Sequence, residues 1–494
     1  MRERICFLVL LLTPFVVYWS AVTEDYGFRD DYVHLAATQE ANGKVVDYAS
    51  SHGRPLYGAL LETSFSAISH VEQLMYLRIG AVALISLFAI LLWRELDNAG
   101  WQTLDAAAVA LVASLLPSAQ VVVAWASAWP FVVSLILALA GFLAVESELE
   151  KGGMRRSIGL VGGAGIYLLA TLIYQSNTLY AIVPIAAVWF VKPKREPKEN
   201  LRWLAMHLGI LLGALVASYL FTKMLYGMGL FKESARLALE TNPLTKLGWF
   251  FWQPLANALA LFQLRDNNWA GWWAFWPVVA AVVAVIYLGA KANIAKEGAA
   301  AKHRWIVCVA LFPFLAHGIS LIAAERAIGY RTLFALSGLV VVLLVAAWRS
   351  LLAAEKIKPF VFHAGLALLV LPGAVLAFSQ PVELIAQPQT REWSIMQLAV
   401  LRTDFKTPKK VHLVTPSEAD RSTERVFSDE FGSFSSTKPE VARDMFKAAL
   451  SERYDPKTLA KLKYELTTGP EVPADDKKPD LLIDMRALRR ERAR

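Results

Sequence analysis

Residues 75–93 of the chain have the sequence MYLRIGAVALISLFAILLW. Arg78 is the only charged side chain in this stretch. Its length matches the roughly 20 apolar residues that a helix needs to cross the hydrocarbon core of a bilayer. The stretch therefore predicts a transmembrane helix, and the pattern recurs along most of the chain.

Apolar blocks of similar length predict about eleven transmembrane helices. The predicted spans are residues 5–22, 75–93, 106–124, 130–146, 158–174, 179–191, 203–222, 271–289, 305–323, 332–348 and 360–378. The first block follows a basic start, so a cleavable signal peptide is an alternative interpretation of residues 1–22. The predicted fold class is a polytopic α-helical membrane protein, with residues 1–378 as its transmembrane domain.

The composition supports this class. Of the 494 residues, 56% are apolar and 19% are charged, and the mean hydropathy is +0.42. Soluble domains have about 25% charged residues. The two cysteines, Cys6 and Cys308, both lie in predicted spans. We therefore expect neither a disulfide in the polar segments nor a metal site built from cysteines.

Lysine and arginine concentrate in alternate loops, which predicts the orientation of the helices in the membrane. Basic residues follow the predicted spans at 151–156, 192–202, 291–304 and 349–358, and Arg2 and Arg4 precede the first span. The amino terminus is therefore predicted to be cytoplasmic, and the carboxy-terminal segment to lie outside. The net charge of +8 follows from this topology, so no nucleic-acid partner is predicted.

Three long polar segments fall on the predicted outer side. Two are loops at residues 23–74 and 223–270, and the third is a tail at residues 379–494. In the tail, residues 410–415 and 481–485 have strand patterns, whereas residues 439–454 and 456–466 have helical ones. We expect the tail to form a small soluble α/β domain, and chemistry to take place on this side.

The first outer loop contains two adjacent carboxylates, Asp30 and Asp31, in the stretch EDYGFRDDYVH at residues 24–34. One of them could act as a general base that removes a proton from an acceptor hydroxyl, with Tyr32 and His34 beside the substrate. Since the two side chains point in different directions, only one can be the base. The alternative is a solvated start of a helix with no catalytic role.

Arg54 lies between a glycine and a proline in the stretch SHGRPLYG at residues 51–58. Its planar guanidinium suits two phosphate oxygens, which makes it the first candidate for a phosphate ligand. A salt bridge to Asp30 or Asp31 that only shapes the loop is the alternative.

Other basic residues on the outer side are candidates for binding an anionic lipid phosphate. Arg326 and Arg331 lie in a short outer turn, against the usual distribution of positive charge. The further candidates are Arg78, Lys223, Lys232 and Arg236, and membrane lipids are expected partners. Headgroup contacts by long arginine side chains are the alternative explanation.

The tandem-acid stretch Asp30-Asp31-Tyr32 and the downstream Gly53-Arg54-Pro55 resemble motifs of the membrane GT-C class of glycosyltransferases. Within that class the layout is most similar to the GtrII-like O-antigen glucosyltransferases. The pairs Tyr174-Gln175 and Tyr330-Arg331 add to the resemblance, and Gln175 and Tyr330 become candidate substrate-binding residues. The tail is not matched in detail.

The resemblance implies a polyprenyl (undecaprenyl) phosphate sugar donor and an acceptor hydroxyl in the periplasm, such as that of O-antigen or another lipopolysaccharide glycan. It also implies inversion at the anomeric carbon and a location in the bacterial inner membrane. A divalent metal ion at Asp30, Asp31 and His34 is an open possibility, since some relatives use one. Three alternative functions are a polymerase of lipid-linked glycans, a lipid flippase or transporter, and a noncatalytic receptor.

Overall fold

The computed structural model describes residues 1–40, 43–149, 154–191, 197–234, 238–266, 272–326, 329–354, 359–417, 427, 430–474 and 478–486. The helices are α1 (Arg2–Val22), α2 (Asp30–Glu40), α3 (Lys44–Ser51), α4 (Pro55–Phe65), α5 (Leu74–Asn98), α6 (Thr103–Leu115), α7 (Pro117–Ala124), α8 (Trp129–Leu149), α9 (Met154–Ile173), α10 (Gln175–Thr178), α11 (Ile182–Val191), α12 (Pro197–Gly227), α13 (Pro243–Phe250), α14 (Ala256–Leu259), α15 (Trp272–Glu297), α16 (Ala299–Ile306), α17 (Phe312–Ala316), α18 (Gly318–Ile322), α19 (Phe334–Ala354), α20 (Pro359–Pro381), α21 (Gln387–Arg402), α22 (Pro439–Arg453) and α23 (Pro456–Leu459). The strands are β1 (Lys409–Val414), β2 (Tyr464–Gly469) and β3 (Leu481–Asp484).

The protein is a polytopic helical membrane protein, as the apolar pattern predicts. In the described part of the chain, eight helices are long and apolar enough to cross a membrane. They are Arg2–Val22, Val71–Asn98, Ala126–Leu149, Lys198–Gly227, Trp273–Glu297, Ala299–Ala316, Phe334–Ala353 and Phe360–Arg402. Two shorter apolar helices, Ser157–Ile173 and Gln175–Val191, coincide with the predicted spans at residues 158–174 and 179–191.

A ninth candidate span is broken. Helices α6 and α7 meet at a bend of 50° and together pass the length and hydropathy test. Pro117 begins α7, and Leu116 before it is extended, with ψ of 156°. Because a proline disfavours the helical conformation of the residue before it, the break lies where the sequence places it.

Both predicted outer loops contain short helices. The first contains α2, α3 and α4, and the second contains α13, α14 and an intervening π-helical turn at Phe251–Leu255. Pro55 at the first position of α4 favours helix initiation there, because proline has the required φ and its missing N–H is not needed at that position. These helices lie at the end of the bundle that is predicted to face outward, which is called the outer end below.

The tail forms a three-stranded parallel sheet in the order β2–β1–β3, with α22 packed against it. Residues 410–415 and 481–485 are confirmed as strands to within one residue at each end, and the helix at 439–454 is confirmed likewise. The predicted helix at 456–466 is wrong beyond α23, because residues from Tyr464 onward pair with β1. Asp455 caps the short helix by accepting the N–H groups of Lys457 and Thr458.

The tail and the first outer loop (residues 23–74), called the first outer segment below, share a hydrophobic core. Tyr32 and Phe65 of the outer segment are buried in the same cluster as Trp393, Met396 and Phe446. The helical run continues from α20 through a π-helical turn at Val382–Ala386 into α21, so the predicted boundary at residue 379 falls inside a helix. Burial of these apolar side chains stabilises the contact between the tail and the bundle by the hydrophobic effect.

Candidate functional site

A cavity of about 300 Å³ opens at the outer end of the bundle. It lies between the turn before α4, the junction of α9 and α10, the outer part of α12, and the region from α18 to the start of α19. Its lining residues are His52, Gly53, Arg54, Thr171, Tyr174, Gln175, Ser176, Leu215, Ser218, Tyr219, Thr222, Lys223, Tyr226, Leu239, Ile319, Ser320, Ile322, Ala323, Glu325, Arg331 and Thr332. Four predicted site residues therefore meet in one place, namely Arg54, Gln175, Lys223 and Arg331.

Arg54 is held in the cavity wall by its neighbours in sequence and by α10. Gly53 has a φ of +75°, a left-handed conformation that glycine adopts without strain, and this turns the chain into α4. The Arg54 Nε donates to Gln175 Oε1 at 3.2 Å, and Gln175 Nε2 donates to the Gly53 carbonyl at 2.8 Å. The guanidinium lies 4.6 Å from the centre of the Tyr174 ring.

No carboxylate forms an ion pair with Arg54 within the described residues. The alternative of a salt bridge to Asp30 or Asp31 is therefore not seen there. Because the guanidinium is half-buried and oriented by a neutral amide, its charge and its terminal nitrogens are available to an anionic ligand.

The other two cations of the cavity have carboxylate partners. Arg331 Nη1 lies 2.6 Å from Glu430 Oε1 of the tail, and the guanidinium lies 5.2 Å from the Trp125 ring centre. Lys223 Nζ lies 2.5 Å from Glu233 Oε1 in an exposed pair. Exposed pairs of this kind contribute little to stability because water screens them, so an incoming phosphate can compete for Lys223 at small cost.

The two adjacent aspartates have different environments. Asp31 is fully buried and accepts three backbone N–H groups, from Phe28 at 2.9 Å, Ser127 at 2.8 Å and Ala126 at 3.3 Å. Burial raises the pKa of Asp31 to about 6, and the hydrogen bonds from Phe28 and Ser127 oppose this rise. Both oxygens are occupied, so Asp31 joins the first outer segment to the turn before α8.

Asp30 is the more accessible carboxylate. It is half-buried at the first position of α2 and makes no hydrogen bond within the described part of the chain. Burial raises the pKa of the neighbouring Tyr57, with Asp30 and Asp31 adding to the rise, while Arg54 and Arg331 lower it. The charges of Asp30, Arg54 and Arg331 therefore all act on the Tyr57 phenol, which lies near the start of α4.

Two predicted site residues, Arg78 and Tyr32, form hydrogen bonds within the protein and do not line the cavity. Arg78 is fully buried and donates to the carbonyls of Val22, Glu24 and Tyr26 at 3.1, 2.5 and 2.7 Å. The Tyr32 hydroxyl accepts the Gly27 N–H at 3.1 Å. These contacts do not fit the predicted role of Arg78 in phosphate binding or that of Tyr32 in substrate binding, because neither polar group faces the cavity.

Tyr330 is also committed to the protein interior. Its hydroxyl accepts the Arg265 N–H at 2.9 Å, and its own N–H donates to Glu430 Oε2 at 3.0 Å. His34 lies against the rings of Tyr48 and Phe65, with centroids 6.3 and 5.6 Å away, and burial lowers its pKa. A neutral, enclosed imidazole and a buried phenol do not support the predicted contact of His34 and Tyr330 with substrate.

Two further predicted phosphate ligands, Lys232 and Arg326, are not among the residues that line the cavity. Arg326 pairs with Glu240 at 3.2 Å, and Lys232 is exposed on the segment after α12. Arg236 lies outside the described residues. These positions leave Lys232 and Arg326 near the outer surface, where contact with lipid headgroups fits their exposure.

The hypothesis of a divalent metal ion at Asp30, Asp31 and His34 does not fit this geometry. Both oxygens of Asp31 already accept N–H groups, and His34 is packed between aromatic rings. Across the described ranges, no group of three or more His, Cys, Asp or Glu side chains is arranged to hold a metal ion.

Sequence reasoning did not single out three residues of the site: Glu325 in the cavity lining, Glu430 paired with Arg331, and Tyr57 near the start of α4. Tyr57 lies three positions after Arg54 on a helical start, so helical spacing could have indicated it. Glu325 lines the cavity, and its position next to Arg326 in the short outer turn does not form a motif of its own. Glu430 lies in the polar tail without a motif, and the sequence carries no signal for its contact with Arg331.

No protein-family model matches this chain, and no curated protein is significantly similar to it.

We expect Asp31 to make the stability of the protein pH-dependent. Because its pKa in the folded state lies above the ordinary value of 3.8, folding favours the protonated carboxyl. Its contribution to stability is therefore present at about pH 4 and is lost as the pH rises through about 6. The Tm of the wild type should fall relative to that of Asp31→Asn between about pH 4 and about pH 7. Thermal unfolding in detergent measures this, and a constant or widening margin would contradict it.

Proposed function

We propose that this protein is an inverting glycosyltransferase of the GT-C type. It would move a single sugar from a polyprenyl (undecaprenyl) phosphate to a hydroxyl of a surface glycan such as O-antigen or lipopolysaccharide. The observation that carries the proposal is the cavity, whose lining includes Arg54, Arg331 and Lys223. Within the described residues, Arg54 has no carboxylate partner and is oriented by the neutral Gln175 amide. Asp30 is the less buried of the two adjacent aspartates, and its charge acts on Tyr57 together with those of Arg54 and Arg331.

The cavity lining suits a ligand with an anionic head and an apolar chain. The cations lie beside aliphatic side chains of α12 and α18, including Leu215, Ile319 and Ile322. Ile322 is 60% exposed on the surface of the bundle, where lipid would contact it. A phosphate held by Arg54 and Arg331 would therefore leave a polyprenyl chain free to extend along the apolar helix surfaces.

The proposed step forms one carbon–oxygen bond, breaks another and transfers one proton. The acceptor oxygen attacks the anomeric carbon and its proton passes to Asp30, while the carbon–oxygen bond to the phosphate breaks. Both electrons of the broken bond leave with the polyprenyl phosphate. Attack from the opposite face inverts the configuration at the anomeric carbon. Arg54 and Arg331 stabilise the charge that grows on the departing phosphate, so the leaving group needs no acid.

Hydroxyl and amide groups in the lining are suited to the sugar. Gln175, Ser320 and Thr332 belong to this set, and all three can donate or accept hydrogen bonds. A neutral pyranose presents hydroxyls in every direction, so such a lining matches it better than it matches a purely apolar ligand.

The proposed topology places this chemistry in the periplasm. The two shorter helices, Ser157–Ile173 and Gln175–Val191, and the bent pair α6 and α7 would also cross, giving eleven spans in the bacterial inner membrane. The basic loops then face the cytoplasm, and the cavity and tail face the periplasm.

The test is sugar transfer by the purified protein from a panel of polyprenyl-phosphate sugars to delipidated membrane glycan. We expect one sugar to be added per acceptor, with release of polyprenyl phosphate. A ladder of products with increasing repeat number would support a glycan polymerase instead. Movement of the donor across a vesicle membrane without covalent transfer would support a flippase or transporter.

A further inference from the structure

Arg331 differs from Arg54 in that its guanidinium is held by a carboxylate from the tail. The Glu430 side chain is fully buried, whereas that of Arg331 is 23% exposed at the cavity. One oxygen of Glu430 receives Arg331 Nη1 at 2.6 Å, and the other receives the Tyr330 N–H at 3.0 Å. A single buried carboxylate thus fixes both the side chain of Arg331 and the backbone just before it.

The tail residues after Glu430 are themselves anchored to the bundle and to α21. The Phe431 ring lies 5.4 Å from the Tyr330 ring, and the Gly432 N–H donates to the Leu384 carbonyl at 2.7 Å. Gln389 Nε2 donates to the Ser433 carbonyl at 2.8 Å. These contacts therefore hold residues 430–436, called the insert below, between α21 and the cavity wall.

The same insert holds the residue before the candidate base. Arg29 has a φ of +50°, which is uncommon for a residue other than glycine. Its N–H donates to Ser435 Oγ at 2.7 Å, and its Nη2 donates to Ser433 Oγ at 3.0 Å. A strained backbone of this kind persists only where surrounding contacts determine it, and here the tail supplies several of them.

We infer that residues 430–436 position two parts of the proposed site, the phosphate-binding arginine and the candidate base. Glu430 acts as a positioning residue for Arg331, and Ser433 and Ser435 hold Arg29, which precedes Asp30. The inference rests on the proposed function. It assigns the tail a role in the sugar-transfer site in addition to covering the first outer segment.

The test uses the full-length protein in lipid nanodiscs, with undecaprenyl monophosphate as the probe. Glu430→Asp keeps the charge but withdraws the carboxylate by one methylene, so any effect reports position. We expect affinity for the probe to fall on the order of tenfold, the size of one charge-assisted hydrogen bond. In an Arg331→Ala background the same substitution should have no further effect, because the residue it positions is gone.

A matched control separates positioning from general destabilisation. Glu452 is another tail carboxylate that accepts a backbone N–H, from Val71 at 2.9 Å, but neither Val71 nor its other hydrogen-bond partner Gln397 lines the cavity. Glu452→Asp should leave affinity for the probe unchanged. If Glu430→Asp does not fold, Ser433→Ala provides a second test, with a severalfold lower transfer rate expected and unchanged affinity for the probe.

The outcomes distinguish the two proposals. Wild-type affinity in Glu430→Asp, or an equal loss in the presence and absence of Arg331, overturns the inference and leaves the proposed function standing. If the wild type does not bind undecaprenyl monophosphate at all, the proposed function fails and the inference fails with it.

Discussion

Asp30→Asn is expected to reduce sugar transfer by about three orders of magnitude, within the range that loss of a general base produces. The amide cannot accept the proton of the acceptor hydroxyl, so the chemical step should slow while the donor still binds. Asp30 is half-buried and makes no hydrogen bond within the described residues, so the Tm should change little. Initial transfer rates, probe affinity and thermal unfolding measure the three quantities separately.

Asp31→Asn is the matched control for this experiment. Its carboxylate accepts three backbone N–H groups, and an amide placed there would direct two donors at some of them. We expect a loss of stability of about 1–3 kcal/mol at about pH 4, which narrows as the pH rises, with transfer per folded molecule kept within severalfold of the wild type. Full activity in Asp30→Asn, or selective loss of transfer in a well-folded Asp31→Asn, would remove Asp30 from the proposed mechanism.

Arg54→Ala is expected to weaken donor binding by about 10- to 100-fold, since hydrogen bonds to charged groups contribute about 1.5–3 kcal/mol. The turnover rate should fall further, because the charge on the departing phosphate grows as the bond breaks. Affinity for undecaprenyl monophosphate and single-turnover rates in nanodiscs measure the two effects.

Arg54→Lys refines this prediction. A lysine keeps the positive charge but cannot form a planar fork or lie flat on the Tyr174 ring, which is 4.6 Å from the guanidinium. We expect an affinity between those of the wild type and Arg54→Ala. Arg486→Ala is the control, since Arg486 pairs with Asp484 in the tail and does not line the cavity. Unchanged affinity in Arg54→Ala would show that the cavity does not bind the donor phosphate in the proposed way.

The grouping of the cavity residues was only partly predictable. The motif around Arg54, the Tyr174-Gln175 pair and the turn containing Arg331 were each singled out from the sequence, and the structure brings them into one cavity. Each follows or precedes an apolar block on the same side of the membrane, so the predicted topology already placed them at one end of the bundle.

The roles of the neighbouring charged residues could not be separated in the same way. Asp30 and Asp31 are equivalent in a sequence pattern, yet Asp31 pairs with backbone groups about 95 residues away. Arg78 was a candidate for binding a lipid phosphate, but its guanidinium donates hydrogen bonds to three backbone carbonyls. Local spacing cannot reveal such partners, because they are brought together by the packing of distant helices.

The sequence by itself determined the membrane class, the positions of most helices and the polar segments at their outer ends. These features depend on hydropathy and on proline and charge placement, which act over short stretches of chain. Only the tertiary structure decided which carboxylate is accessible, which arginine has no carboxylate partner among the described residues, and that Glu430 of the tail pairs with Arg331 in the cavity wall. Burial and hydrogen-bond partners set those properties, and both depend on contacts between residues far apart in the chain.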